Sequence, residues 1–431
     1  MQPKALPGFR DFYPDELALR AYIFRVWREV ATRYGFEEYD GPPLEPLELY
    51  TAKSGDEIVG QLYHFTDKGD RQVALRPEMT PTLARMVAAR ANGLKKPIRW
   101  FSIPQLFRYE RQQRGRLREH FQLNCDLIGE AGPLADAEII ALAVDVMRAF
   151  RLGPADVRVR LSDRRMLNAL LSEIGLADAQ YPLAYQLLDK LGRGEYEASK
   201  RALLDSGAAE GTVRRLEAVR GVTDWATLER DYPAAASSGD ALRQAIAALG
   251  AMGLGEFVDL DLTIVRGLAY YTGTVFEIFD AGKTLRAICG GGRYDNLVGA
   301  IGGVDLPCVG FGLGDVVLGD LLKNRELLPE RAPSVDVFVA AITADDVPHV
   351  LQLAHELRDA GLRVEYTLSP QAPGKQLALA DARRARVAVV IGPDDRARGE
   401  VALKDLAQKA QRGVPRERIR DELQRLLGGG A

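Results

Sequence analysis

The sequence predicts an α+β protein: an antiparallel sheet flanked by helices, interrupted by a helical insertion and followed by a smaller α/β domain. Three observations carry this. Short apolar stretches bounded by turn residues occur at 72–75, 98–103 and 121–128, and again at 260–265, 273–279 and 285–288. Between these groups, 164–251 is rich in Ala, Leu, Arg and Glu at helical spacing, so strands stand on both sides of a helical block. After a polar stretch holding Pro329 and Pro333, the nearly continuous apolar runs 335–342 and 387–392 alternate with helical patterns, which predicts a largely parallel sheet.

The elements follow in order. Leu17, Leu19, Tyr22, Ile23, Val26, Trp27, Val30 and Ala31 recur near helical spacing, with Pro14 before and Gly35 after, giving a helix over 15–34. Residues 103–109 and 120–128 read as paired strands around Gly115, and 134–150 as a helix. Three consecutive glycines, Gly290 to Gly292, read as a bulge at a strand end or as a close backbone approach to a ligand. In the last domain 347–360 and 376–385 are helices and 362–368 is a strand. The domain boundaries expected are 1–325 with the insertion at about 164–251, a linker at 326–334, and 335–431.

Composition narrows the function. The 431 residues exceed one ordinary core, and 47% hydrophobic with 27% charged residues is a globular balance. With 57 basic against 60 acidic residues, any polynucleotide must be met by a local patch. Three scattered cysteines and four histidines show no metal-ligand spacing, so metal ligands stay unassigned. No signal-like segment and no run near ~18 apolar residues is present, and a cytoplasmic location without membrane contact is expected.

Chemistry concentrates in three places. Arg108, Arg111, Arg114, Arg116 and Arg118 surround Gly115, either as an exposed charged turn or as a polyphosphate clamp made of guanidinium groups. Arg266 precedes Gly267 and the pair Tyr270 and Tyr271, either as a structural ion-pair partner or as a site residue. The third is Cys289-Gly-Gly-Gly-Arg-Tyr-Asp295. Gly310-Phe-Gly-Leu-Gly314 lacks the last glycine of a dinucleotide fingerprint, and neither a Walker A sequence nor a Gly-x-Ser-x-Gly elbow occurs.

Together these segments resemble the histidyl-tRNA synthetases, a family of class II aminoacyl-tRNA synthetases, over nearly the whole chain. Pro7 to Pro14 resembles the start of motif 1, and Phe107 to Gly129 motif 2 with its Phe-Arg-x-Glu opening. Arg266-Gly-Leu-Ala-Tyr-Tyr271 and Gly291-Gly-Arg-Tyr-Asp295 resemble the two histidine-specific peptides, and Leu75 to Thr80 the amino-acid pocket segment. The segment from Val335 onward, with Gly374-Lys-Gln376, is similar to the anticodon-binding domain.

The resemblance implies activation of histidine with ATP and Mg²⁺, transfer to tRNA(His), and a homodimer built largely by the N-terminal helix and adjoining strand, for which the apolar face of Tyr22, Ile23, Val26 and Val30 is the expected surface. It implies that Arg108 and Arg266 are catalytic at the α-phosphate, and that Glu110, Arg116, Arg118 and His120 complete the ATP site. For histidine it implies Glu78, Thr80, Gln122, Asp126, Arg266, Tyr270, Tyr271 and Tyr294. Three positions depart from the family pattern. Ala269 replaces an Asp, His120 replaces the adenine-stacking Phe, and Val317 replaces the motif 3 arginine, which predicts more reliance on Arg116 and on Mg²⁺ near Asp315. The competing reading is a catalytically silent regulator of the ATP phosphoribosyltransferase regulatory-subunit type, which typically lacks a domain such as 335–431.

Overall fold

Pro14 pre-sets the first helical turn and Gly35, at φ 75°, ends the helix Pro14–Arg33. The computed structural model describes residues 4–54, 56–109, 115, 117–191, 195–265, 271–282, 285–329 and 334–428. The chain divides into two units, Met1–Leu328 and Pro329–Ala431. The first is α+β, as its sequence pattern predicts.

Among the described residues, nine strands form the main sheet of the first unit. Its order is Glu37–Glu38, Ile98–Ser102, Glu119–Ile128, Cys308–Gly314, Cys289–Arg293, Thr274–Asp280, Val157–Asp163 and Val258–Leu260. The ninth, Gln105–Phe107, pairs with the start of Glu119–Ile128. The two end pairs are parallel and the pairs between them antiparallel.

Alternation along these strands makes one dry face and one wet face. Leu123, Cys125, Leu127, Val309, Phe311, Leu313, Phe276, Ile278, Val159 and Leu161 turn to the core, where they meet Trp27 and Val30 and the apolar side of Pro133–Ala149. The other face carries His120, Gln122, Asn124 and Asp126 beside Gly310, Gly312, Gly290 and Gly292. It continues through Glu277 and Phe279 to Arg160 and Arg158.

The helices from Arg164–Glu173 to Asp240–Ala251 lie between the sheet's strands in the chain, and Leu187, Leu203, Leu216 and Leu242 join the same core. Asp163 caps the first of them, accepting from the Arg165 and Met166 amides at 2.8 and 3.3 Å. A small sheet of Leu44–Pro46, His64–Thr66 and Gln72–Leu75 precedes the helix Thr80–Arg90.

Among the described residues the second unit holds five strands in the order Val364–Glu365, Val337–Ala341, Val387–Ile391, Glu400–Asp405, Ala410–Pro415. The first two pairings are parallel and the last two antiparallel, so the sheet is mixed rather than largely parallel. The antiparallel hairpin escaped the sequence reading because 410–415 is exposed except at Val414, leaving no apolar run. Gln376 is buried, and its amide bonds both the N–H and the C=O of Ala341, fastening the helix Pro373–Ala382 to the strand end.

Three further expectations shift. The strand placed at 285–288 is Cys289–Arg293, so the glycine run is a strand rather than a bulge. The strand at 260–265 is Val258–Leu260 followed by a turn in which Asp261 accepts from the Thr263 amide. Ile23, Val26 and Val30, the face expected to make a dimer, are buried in the chain's own core.

A buried ion pair ties the sheet to the helix Pro133–Ala149. Arg293 donates to Asp136 at 2.7 Å and to the Glu130 and Gly132 carbonyls, and both charged residues are at most 3% exposed. Asp136→Ala should therefore destabilise the first unit by about 3 kcal/mol, because Arg293 stays buried with only the part-exposed Asp295 as counter-charge. Urea unfolding followed by the tryptophan signal checks this; a loss near zero would show that Arg293 finds another acceptor.

Candidate functional site

The wet face of the sheet forms the floor of a cleft of about 1250 Å³. Gln122 and His120 rise from the strand Glu119–Ile128, Glu78 and Pro77 from the segment before Thr80–Arg90, and Val316 and Val317 from the helix Asp315–Asn324. Val265, Arg286 and Gly115 also line it.

Glycines make the floor possible. A Cβ on Gly310 would sit 2.0 Å from Asp126 Oδ1, and one on Gly312 would sit 2.6 Å from Gln122 Cδ. A Cβ on Gly292 would sit 2.9 Å from the Tyr271 ring. The three site side chains occupy the volume that ordinary residues at these positions would fill.

Asp126 lies at the enclosed end of this face, 4% exposed, and accepts a hydrogen bond from Tyr294 Oη. Burial pushes its carboxyl up to about 7, partly opposed by the Tyr294 hydrogen bond. Tyr271, Tyr294, Trp100 and Tyr39 pack in one apolar cluster there. The buried Tyr39 hydroxyl has no hydrogen-bond partner among the described residues, a spare polar group in an otherwise apolar wall.

Buried charges hold the loops that frame the site. Arg76 donates to Asp40 and the Gly41 carbonyl at 2.8 and 2.7 Å and to Gln105 O at 3.1 Å, fixing the segment that presents Glu78. Arg108 donates from Nε to Pro77 O at 3.1 Å, so the two segments share a wall. Asp295 accepts from Thr272 Oγ1 at 3.1 Å and from the Cys308 amide at 3.1 Å, linking the residues next to Tyr271 and Tyr294.

The residues proposed from sequence divide as follows. Arg108, Glu78, His120 and Gln122 line the cleft, and Asp126, Tyr271 and Tyr294 close one end of its floor. Thr80 opens the helix Thr80–Arg90. Arg118 lies over the Tyr109 ring at 4.8 Å and its stem packs on Gly8, away from the described cleft wall. Arg266, Tyr270, Glu110 and Arg116, with Ala269, lie outside the described residues.

His120 faces the cleft, whereas Phe121 turns the other way onto Phe12, Phe24 and Arg20. Asp315 is not open to a cation. It accepts from Arg10 at 2.9 Å and from the Phe121 amide at 2.9 Å, on the side away from the cleft. Among the described residues no three His, Cys, Asp or Glu side chains converge as a metal cage. Sequence reasoning passed over Arg76, Arg286 and the Arg293–Asp136 pair. Arg293 stood inside a quoted motif, but nothing in the spacing marks Arg286.

The family model for histidyl-tRNA synthetase matches residues 8–315, and that for an anticodon-binding domain matches 336–426. Curated relatives include a histidine–tRNA ligase of Opitutus terrae, 46% identical over 96% of this chain and 97% of the relative. A chloroplastic/mitochondrial histidine–tRNA ligase of Arabidopsis thaliana is 39% identical over 94% of this chain and 83% of its own. A solved histidyl-tRNA synthetase from Nostoc sp. PCC 7120 superposes with TM-score 0.83 at 26% identity, covering 99% of this chain and 100% of that one. A Bacillus halodurans chain described as an ATP phosphoribosyltransferase regulatory subunit/histidyl-tRNA synthetase shares the fold at TM-score 0.73 and 22% identity, over 90% of this chain and 97% of that one.

The position of Asp126 sets a pH dependence for any ligand N–H it accepts. Its folded pKa lies above the ordinary carboxylate value, so the acid is neutral below about pH 7 and anionic above it. Histidine affinity should rise as pH increases through 7, because only the anion offers both oxygens as acceptors. In Asp126→Asn the affinity at pH 8 should drop and the slope between pH 6 and 8, measured by calorimetry, should flatten. A slope equal to the parent's would leave only the titration of free histidine.

Proposed function

The chain belongs to the histidyl-tRNA synthetase family, and from that premise we propose that its first unit builds histidyl-adenylate in the cleft while its second unit meets the anticodon end of tRNA(His). Ligation of histidine to tRNA follows from the family and from curated relatives of nearly full length. The regulator reading is set aside on the same grounds, together with the anticodon-domain match.

The reaction needs positioning and charge stabilisation more than covalent chemistry. A histidine carboxylate oxygen attacks the α-phosphorus of ATP, the new P–O bond forms, and pyrophosphate leaves with the electron pair of the broken bond. The tRNA terminal hydroxyl then attacks the adenylate carbonyl and AMP leaves. On our reading Arg108 and Arg266 neutralise charge at the α-phosphate, and Glu110, Arg116 and His120 hold the rest of ATP. Glu78 and Thr80 meet the histidine amine. Gln122, Asp126, Tyr270, Tyr271 and Tyr294 enclose its ring. Arg118, packed on Tyr109, belongs to the same ATP-site proposal.

What carries this reading is one observation: Gln122, Asp126 and Tyr271 lie together over a glycine floor, in a unit whose same cleft holds Arg108 and Glu78. The anionic ligands ATP and pyrophosphate explain why arginines reach that wall. We assign 1–325 to the catalytic domain, about 164–251 to its insertion, 326–334 to a linker and 335–431 to the tRNA-binding domain. In the last, Lys375 and Arg384 are exposed, whereas Arg383 pairs with Glu365 and Arg386 bonds the Leu427 carbonyl. A cytoplasmic location belongs to the same proposal; among the described residues no helix is long and apolar enough to cross a membrane.

Histidine-dependent exchange of pyrophosphate into ATP by the purified protein tests the first step. The parent should exchange, and Arg108→Ala should lose roughly 10²–10³ in rate, the usual effect of removing one transition-state donor. Exchange at parental rate in the variant would make Arg108 a wall residue held by Pro77.

A homodimer also remains part of the proposal, on a different face from the one first expected. With Ile23, Val26 and Val30 inside the core, the helix Pro14–Arg33 offers its other side, a shallow groove around Leu17, Arg20 and Phe24. Sedimentation at micromolar concentration should give the mass of two chains. An active monomer would overturn this.

A further inference from the structure

The described part of the cleft leaves one wall short of positive charge. Val316 and Val317 line it with aliphatic carbon, while a nucleoside triphosphate brings up to four negative charges. Several arginines line the described cleft: Arg220, Arg158, which pairs with Asp259, and Arg160, which lies 3.4 Å from Asp261 and over the Phe279 ring at 4.8 Å. Arg158 and Arg160 sit on Val157–Asp163, the last strand but one of the sheet. Arg108 is held by Pro77 on another segment.

Arg286 also lines the cleft, is exposed, and meets the aliphatic wall: a Cβ on Gly115 would lie 3.5 Å from Val317 Cγ2 and 3.7 Å from Arg286 Cδ. Gly115 has φ 74° and belongs to the turn between the strands Gln105–Phe107 and Glu119–Ile128, so three separate segments converge at this point. The backbone that presents Arg286 is pinned on both sides. The Leu285 amide donates to Asp280 at 2.9 Å, and the Ile288 amide donates to Ile278 O at 2.8 Å. An arginine on an anchored segment loses less freedom when it binds than one on a free loop.

We propose that Arg286 is a nucleotide-binding residue, whose guanidinium supplies the positive charge that the Val317 wall lacks and meets ATP from that side. The inference rests on the ATP-site reading above. A guanidinium is charged at every working pH and donates through a planar fork that suits either phosphate oxygens or the face of a base. Its place on the wall beside Val317 is what selects it.

The test is pyrophosphate exchange with ATP and histidine varied separately. Arg286→Ala should raise the KM for ATP by roughly 10- to 100-fold, the worth of a charge-assisted hydrogen bond. The KM for histidine should stay within about twofold, because Asp126 and Gln122 belong to the floor and not to this wall. Adding Val317→Arg to the Arg286→Ala protein should recover part of the ATP affinity, since a guanidinium then returns to the same wall. An ATP KM within about twofold of the parent, or equal rises in both KM values, overturns the proposal. Arg108→Ala run alongside separates the two readings. Intact exchange there sinks the ATP-site reading itself, whereas its loss beside an unaffected Arg286→Ala sinks this inference alone.

Discussion

The site depends on a steric constraint: side chains can lie flat across a sheet only where the neighbouring strands carry none. Gly310, Gly312 and Gly292 meet that condition, and Asp126, Gln122 and Tyr271 occupy the freed space. Glycine is a poor strand former, since it loses more backbone freedom and packs nothing. Here the loss is offset from the opposite face, where Val309, Phe311 and Leu313 alternate with the glycines and bury into the core. Gly291 answers the same constraint in the other direction. Its Cβ would lie 2.3 Å from Gly310 O and 2.6 Å from Phe311 Cβ, so close packing on the dry side excludes a side chain as firmly as the site does on the wet side.

Rigid charge pairs supply the second layer. Arg76, Arg293 and Arg10 each reach two or more acceptors, and each acts at the junction of a loop with the sheet. Arg10 joins Glu119 and Asp315, whose carboxylate also takes the Phe121 amide, so the strand holding His120 is clamped from its far side. Burying such charges is costly unless all their bonding capacity is used. Arg293 comes close, with Asp136, Asp295 and two carbonyls around one guanidinium. The cost is tolerable because these pairs hold the cleft-facing residues in one geometry, which loose loops would not do.

Much of this was legible in the sequence, and the failures have physical reasons. The helices at 15–34 and 134–150 and the hairpin around Gly115 were readable because half-buried elements keep a clean period. The strand Cys289–Arg293 was not, because periodicity needs side chains and its wet face has none. The helix face of Ile23, Val26 and Val30 was read correctly as apolar and wrongly as a dimer surface. Sequence shows that a face must be covered, not by what. His120 and Phe121 were separable only by parity, which the pairing of Leu106 with His120 provides. Arg286 carried no signal at all, since an arginine in a turn is ordinary until its neighbours are known.

On the proposed assignment, specificity for an imidazole comes from the enclosed end of the floor where Asp126 lies. A neutral imidazole has one N–H and one bare nitrogen, so it needs an acceptor and a donor at fixed separation. Asp126, with its pKa near 7, takes the Tyr294 proton on one oxygen and keeps the rest of its accepting capacity for a ligand. Tyr39 Oη, buried without a hydrogen-bond partner among the described residues, is a spare donor in the same cluster. An apolar amino acid of the same size would leave both groups dry and unpaired. Sites built in this way reject such analogues by roughly 10⁴–10⁵, far more than shape alone achieves. The aromatic wall of Trp100, Tyr271 and Tyr294 strengthens the discrimination, because excluding water is what makes an unmade hydrogen bond expensive.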